Sequence, residues 1–246
     1  MPAERKVLRI SGEDRFEFLQ GLVTNAVPQE PGRLVYAALL TPQGKYLADF
    51  FLSKTGEAIL LDAAAGQAEA LARRLALYKL RAKVTLEPTD LAVSRGTGPA
   101  PDGALSDPRH SDLGWRHYGA TSGDDGTDWD AIRVAHCIPE AGIELIPDDT
   151  FILEAGFERL NGVDFRKGCY VGQEVTARMK HKTELRKGFE TVAVEGAAPV
   201  GTEIVAGGKP VGRLFTQSAG HGIAYLRFDR AQGAMQAGPA RVARVV

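Results

Sequence analysis

Lys167-Gly168-Cys169-Tyr170-Val171-Gly172-Gln173-Glu174 is the stretch from which this chain is best read. It sets one of only two cysteines beside a fixed cation, between two glycines, with a carboxylate five residues on. Arg166 adds a second cation next door. Nearby cations stabilise a thiolate, so the thiol of Cys169 is expected to lose its proton more readily than a free one. Gly168 and Gly172 permit backbone angles that other residues resist and leave room for a ligand at the main chain. The competing reading is a tight turn around a small, buried, inert cysteine.

Downstream, Val171 to Met179 reads as a helix that would place Cys169 near a positive helix end. Upstream, Asn161-Gly162 is a turn. Thr150 is a candidate cap for a helix from Phe151 to Leu160, and Asp128 for one reaching Cys137, which Pro139 ends. Nearer the N-terminus, Arg5 to Ile10 reads as a strand. Ser11 looks like the cap of a helix from Glu13 to Val23, with Asp14 in place of the capping-box acid. Arg33 to Leu40 and Lys45 to Ser53 are strands joined by the turn Thr41-Pro42-Gln43-Gly44. A further strand, Glu57 to Asp62, precedes the clearest helix, Gln67 to Arg81, in which Ala68, Leu71, Leu75 and Tyr78 mark one face. Lys83 to Leu86 and Leu91 to Ser94 are short strands. Gly96 to Asp107 and Gly119 to Asp128 read as loops flanking an edge strand at Trp115 to Tyr118.

From Glu184 the character changes. Strand-like runs at Phe189 to Val194, Glu203 to Ala206, Val211 to Thr216, Ile223 to Arg227 and Ala240 to Val246 are separated by Gly-rich turns. That pattern predicts a small all-β barrel or sandwich over residues 184–246, with a boundary near Thr183 to Lys187. Residues 1–183 are then an α+β region.

The 246 residues are 44% hydrophobic and 25% charged, an ordinary globular composition with ample core. A net charge of −1 advertises neither nucleic acid nor an anionic membrane. Met1 to Val7 leads into no apolar segment of a signal peptide, and the longest stretch free of Asp, Glu, Lys and Arg, Leu214 to Leu226, is too short to span a bilayer. These features predict a cytoplasmic protein. Cys137 and Cys169 make no disulfide framework, and the five histidines are scattered, so no metal site is indicated by spacing. Gly207-Gly208-Lys209-Pro210 fails as a phosphate loop, because Glu203 stands where the first glycine belongs and Pro210 where the magnesium-binding hydroxyl belongs. No GxSxG elbow is present, and a thiol hydrolase pairing Cys169 with His181 lacks any positional signature.

The octapeptide resembles the signature of the YgfZ family, folate-binding proteins that assist iron–sulfur cluster assembly or repair. Phe157-Glu158-Arg159-Leu160-Asn161-Gly162-Val163-Asp164-Phe165-Arg166 is similar to the family's approach to it. Phe18 to Asn25, Leu40 to Phe50, Tyr78 to Val84, Val211 to Leu214 and Ala224 to Arg227 extend the resemblance nearly end to end. The family is related in fold to the T-protein of the glycine cleavage system, a tetrahydrofolate-dependent aminomethyltransferase. The resemblance therefore implies a ring of three subdomains around a central folate pocket: two α+β pieces interwoven within residues 1–183, and a C-terminal β-barrel. The cysteine loop is expected at the pocket or its rim.

A pterin needs polar partners at its amide edge, an apolar or aromatic wall for its face, and cations for its glutamate tail. Asn25 and Asp49 are candidates for the edge, Tyr170 for stacking and Arg227 for a carboxylate. Gln173, Glu174 and Arg178 complete the expected folate-contacting set. Asn25 as a helix C-cap, Tyr170 as core and a Glu174–Arg178 ion pair are the structural alternatives. Cys169, assisted by Lys167, is the expected reactive group in delivering or protecting a 4Fe–4S cluster. One cysteine cannot hold a cluster alone, so an iron–sulfur client or carrier protein, a second protomer or glutathione must supply the rest. A monomer is expected, and a tRNA-modifying 4Fe–4S enzyme is a suitable readout. A one-carbon transferase or demethylase and a folate-sensing module remain as alternatives.

Overall fold

The computed structural model describes residues 4–182 and 184–245. Residues 1–3, Thr183 and Val246 lie outside them, including one end of the expected boundary and the end of the last expected strand. An antiparallel sheet is built from β1 (Arg5–Ser11), β2 (Val35–Leu40), β3 (Tyr46–Thr55), β4 (Ala58–Ala64) and β5 (Thr85–Pro88), in the order β2-β3-β4-β1-β5. Strands β2, β3 and β4 read as near-continuous apolar runs because both their faces are covered. Val35, Ala37, Leu39, Phe50 and Leu52 point to one core with Phe18 and Leu19 of helix α1 (Arg15–Gln20) and Leu71 and Leu75 of helix α2 (Ala65–Lys79). Tyr36, Ala38, Leu40, Tyr46 and Phe51 point to a second core with Leu153, Phe157 and Leu160. A register shift at Leu39/Leu40 lets Tyr46 join that second face.

The second sheet comprises β6 (Ala92–Gly96), β7 (Leu105–Ser106), β8 (Trp115–Gly119) and β9 (Gly123–Asp124), ordered β7-β8-β6-β9. It is joined to the first by buried charges. Asp62 of β4 accepts from Arg5 Nε at 2.6 Å and Arg116 Nη1 at 3.3 Å, and Arg116 Nε reaches Asp107 at 3.1 Å. Arg109 grips Asp107 bidentately at 3.0 and 2.8 Å. Such fully hydrogen-bonded charges specify one arrangement of the two sheets, although breaking any one of them is costly.

Helix α3 (Trp129–Ala135) follows, capped by Asp128, whose Oδ1 accepts from the Ala131 N–H at 3.0 Å. Helix α4 (Gln173–Lys182) leads to a closed barrel of β10 (Lys187–Glu195), β11 (Thr202–Ala206), β12 (Lys209–Ser218), β13 (His221–Arg227), β14 (Met235–Ala237) and β15 (Ala240–Arg244), in the order β10-β13-β12-β11-β14-β15. Buried Glu144 bonds both Arg133 of α3 and Thr216 of β12, fastening the barrel to the rest.

Four local expectations are corrected. Ser11 stays in β1 opposite Ala58, and α1 starts after Asp14, whose carboxylate accepts from the Lys83 N–H at 2.7 Å rather than capping its own helix. The predicted helix from Phe151 to Leu160 is a succession of turns, because Gly156 sits at φ +73° and interrupts the helical path. Thr150 instead accepts from the Ile146 N–H upstream. Trp115 to Tyr118 is no edge: Leu105–Ser106, in a segment rich in Gly and Pro, pairs with its open side.

Candidate functional site

The octapeptide forms a loop pinned at Lys167, Tyr170, Val171, Gly172 and Gln173. Lys167 Nζ donates to the carbonyls of Gln20 and Val23, just past α1, at 2.6 and 2.7 Å. The Gln20 amide answers by donating to Lys167 O at 3.1 Å and accepting from the Val27 N–H at 2.9 Å. Tyr170 is buried in the second core, its ring centroid 4.9 Å from Lys167 Nζ. Its N–H donates to Gln173 Oε1 at 3.0 Å, so Gln173 closes the turn that enters α4. Gly172, at φ +84°, lies against the hairpin turn: a Cβ there would meet Thr41 O at 2.6 Å and Gly44 Cα at 3.1 Å. A Cβ on Gly44 would in turn meet Val175 at 2.9 Å. Two glycines 128 positions apart thus allow the β2–β3 turn and the start of α4 to touch. Cys169 projects from this frame and is exposed. Burial pulls the Lys167 ammonium down to about 8, against the opposing pull of Asp164 and Cys169.

A cavity of about 550 Å³ opens between the first sheet, the second sheet and α3. Asp49, Arg95, Arg109, Arg116 and Trp129 are among its walls. Asp49, only 4% exposed, accepts from Tyr36 Oη at 3.1 Å and Tyr46 Oη at 2.6 Å. Burial, and then the Asp49 charge, hold both phenols well above their ordinary range, so they stay protonated as donors. A carboxylate has about four acceptor sites, so Asp49 keeps capacity for a ligand's donors. Arg109 and Arg116 are committed to Asp107 and Asp62. Arg95 forms no ion pair among the described residues. Its guanidinium carbon lies 4.0 Å from the Trp129 ring centroid, and burial, reinforced by Arg116, pulls it down to about 10. A larger hollow of about 930 Å³ on the barrel is lined mostly by glycine and apolar side chains, and its two charged residues, Glu195 and Arg241, pair with each other at 3.3 Å. The smaller cavity has the convergent polar groups of a ligand site.

Of the expected folate-contacting residues, Asp49 lines this cavity; Asn25, Tyr170, Gln173, Glu174, Arg178 and Arg227 stand elsewhere. Cys169 and Lys167 are also outside its walls. The Asn25 amide donates to Tyr36 O at 2.9 Å and Asn161 O at 2.7 Å, tying β2 to the turn before the cysteine loop. Glu174 and Arg178 are exposed on α4, and the Glu174–Arg178 pair does not form among the described residues; Lys180 reaches back to Glu158 at 2.5 Å instead. Arg227 lies in β13 opposite Lys187, its Nε buried without a hydrogen-bond partner among the described residues. Arg95, Arg109 and Trp129 escape notice in the sequence because they stand in segments that look like ordinary strand, loop and helix. The available signal is in the register: Arg95 and Arg116 face each other across β6 and β8, and like charges so placed require an anion nearby.

Residues 186–245 match the family model described as CAF17, C-terminal beta-barrel domain. The chain is 31% identical over 277 residues to the mitochondrial iron–sulfur cluster assembly factor IBA57 of Mus musculus, covering 93% of this chain and 77% of that protein. The Homo sapiens protein of the same name is 31% identical over 274 residues, with the same coverage of each. The crystal structure of glycine cleavage system aminomethyltransferase T from Bartonella henselae shares the fold, with a TM-score of 0.75 over 98% of this chain and 82% of that one at 14% identity. These findings correct two expectations. The relatives are IBA57 proteins, a family related to YgfZ rather than YgfZ itself. They are also named as mitochondrial, which overturns the cytoplasmic placement inferred from an unremarkable N-terminus.

Proposed function

The chain belongs to the IBA57 family of iron–sulfur cluster assembly factors, and on that premise we propose that it supports assembly or repair of 4Fe–4S clusters in client enzymes through Cys169. The exposure of Cys169 on an otherwise immobilised loop carries this reading. A sulfur destined for a purely structural role would be buried; one that must meet a cluster held by another protein has to project. One thiolate is too few for a cluster, so the client or carrier iron–sulfur protein supplies the remaining ligands.

Tetrahydrofolate, or a derivative, is the proposed ligand of the 550 Å³ cavity. Asp49 fits the donor edge of a pterin, Trp129 an apolar wall, and Arg95, as the cation without an ion-pair partner among the described residues, the carboxylates of a glutamate tail. Bound folate would supply one-carbon carrier chemistry or stabilise the fold. The decisive experiment is complementation of cells lacking the protein, read out by the activity of a 4Fe–4S enzyme. Folded Cys169→Ser should fail to restore it; full rescue by that variant removes the thiol from the mechanism.

The buried Asp49 in the cavity favours a second reading, a tetrahydrofolate-dependent one-carbon transferase. Methylene-folate formation from a methylated amine that survives Cys169→Ala would establish it in place of the first.

A further inference from the structure

His110, Asp112 and His136 carry no spacing signature, since 24 residues separate the last two. The fold nevertheless gathers one ring nitrogen from each histidine and one Asp112 oxygen within 4.8 Å of one another. We propose that these three side chains bind a divalent first-row transition-metal ion, independently of Cys169 and of the folate reading.

The ligands come from elements held in place from outside the cluster. His110 opens the 3-10 turn Ser111–Leu113, and Asn161 Nδ2 donates to the nearby Pro108 carbonyl at 2.8 Å. His136 ends α3, where Arg159 donates to the carbonyls of His136 and Cys137, both at 2.8 Å. His136 Nε2 lies 2.7 Å from Asp112 Oδ2, and His110 Nδ1 lies 3.9 Å from Asp112 Oδ1. An ion with bonds of about 2.0–2.2 Å to nitrogen and oxygen holds neighbouring ligand atoms roughly 3.3–3.5 Å apart in a tetrahedral shell. The contact between His136 and Asp112 must therefore open by less than ~1 Å.

The adjustment falls on exposed torsions. The histidine side chains are 33% and 30% exposed and Asp112 is 55% exposed, which also leaves coordination positions for water. The two imidazoles stack with centroids 3.7 Å apart and planes 24° from parallel, so one ring must turn for their lone pairs to converge. His110 Nδ1 must also give up the Asp112 N–H it accepts at 3.2 Å. The proton now shared by His136 and Asp112 is the one the ion replaces.

The donor set selects the class of ion. Two imidazoles and a carboxylate suit Zn²⁺, Co²⁺ or Fe²⁺ rather than the all-oxygen shells of Mg²⁺ and Ca²⁺. Arg109 and Leu113, which flank the site in sequence, line the cavity.

The test uses the full chain carrying Cys169→Ser, which removes the exposed thiol as a competing ligand. After chelator dialysis it is titrated with Zn²⁺ by calorimetry and with Co²⁺ by visible absorption. The expected result is one ion per chain with Co²⁺ d–d bands. His110→Ala and His136→Ala, each shown folded by circular dichroism, should weaken binding by at least the ~10–100-fold typical of losing even an outer-shell partner and should abolish the bands. His117→Ala and His221→Ala should change neither. No saturable uptake by the parent, or uptake of undiminished affinity in either site variant, overturns the proposal.

Discussion

Gly172→Ala and Gly168→Ala separate two reasons for a glycine within one loop. Both residues sit at positive φ, +84° and +94°, so each substitution carries a conformational cost of about 1–3 kcal/mol. A part of that, about 0.4–1 kcal/mol, is returned by the stiffer unfolded chain. At Gly168 nothing lies within 4 Å of the added Cβ, and the cost ends there. At Gly172 the same atom meets Thr41 O at 2.6 Å and Gly44 Cα at 3.1 Å, both backbone, as well as Leu40 Cβ at 3.0 Å. Backbone cannot step aside as a side-chain tip can, so overpacking adds about 1–3 kcal/mol. Urea unfolding of the two variants should differ by that increment, and their Tm values by about 2–4 °C for each kcal/mol in a chain of this size. Gly172→Ala should also speed alkylation of Cys169, because the loop loses its seat on the hairpin. Equal destabilisation by the two substitutions would refute the contact between the hairpin turn and α4.

Other consequences follow from the same coordinates. Burial alone would raise the pKa of Asp107, but Arg109 and Arg116 outweigh it and hold the group well below the usual carboxylate range. Its stabilising contribution is therefore complete above the unfolded value of about 4 and fades as pH falls below it. Asp107→Asn should cost about 3–5 kcal/mol at pH 7. The gap in urea midpoint between wild type and variant should narrow at pH 3; a constant gap contradicts the assignment. Iodoacetamide at pH 8 should label Cys169 in the native protein and spare Cys137, whose thiol burial holds near 11; equal labelling by mass spectrometry would be wrong for this fold. Asp49→Ala should cost about 1–3 kcal/mol, because it leaves the buried Tyr36 hydroxyl without its recorded acceptor, and unchanged stability would place that hydroxyl elsewhere.

Elements whose apolar period matched their environment were legible in the sequence: β2, β3 and the Leu71/Leu75 face of α2 stand within a few residues of expectation. So did the barrel, where Gly-rich turns punctuate short strands, although β14 was too short to register. Failures came where a tertiary partner overrode a local signal. Asp14 has the chemistry of a cap but is drawn to the Lys83 amide, and Phe151 to Leu160 has helical spacing of buried side chains on a path that Gly156 breaks. The cysteine loop was conspicuous because its unusual residues are contiguous. The cavity was not, because Asp49, Arg95, Arg116 and Trp129 converge from four separate elements, and only Asp49 looked out of place in its strand. His110, Asp112 and His136 were invisible for the same reason.

Lys167 shows how far contiguity misleads about role. Beside a cysteine it suggests an activating cation, yet its ammonium donates to two carbonyls at the exit of α1 and sits over the Tyr170 ring. Those bonds use two of its three donors to hold the loop against the first sheet's helix. Burial brings that ammonium itself down to about 8. Anchoring is therefore the role that the geometry gives Lys167. The cavity walls include neither residue, so a ligand there and the sulfur would stand at different places on the molecule. On the proposed reading, a cluster carried by a partner would meet Cys169 on the outer surface without entering the cavity, and a folate in the cavity would affect that meeting only through the sheet and hairpin on which the loop is seated.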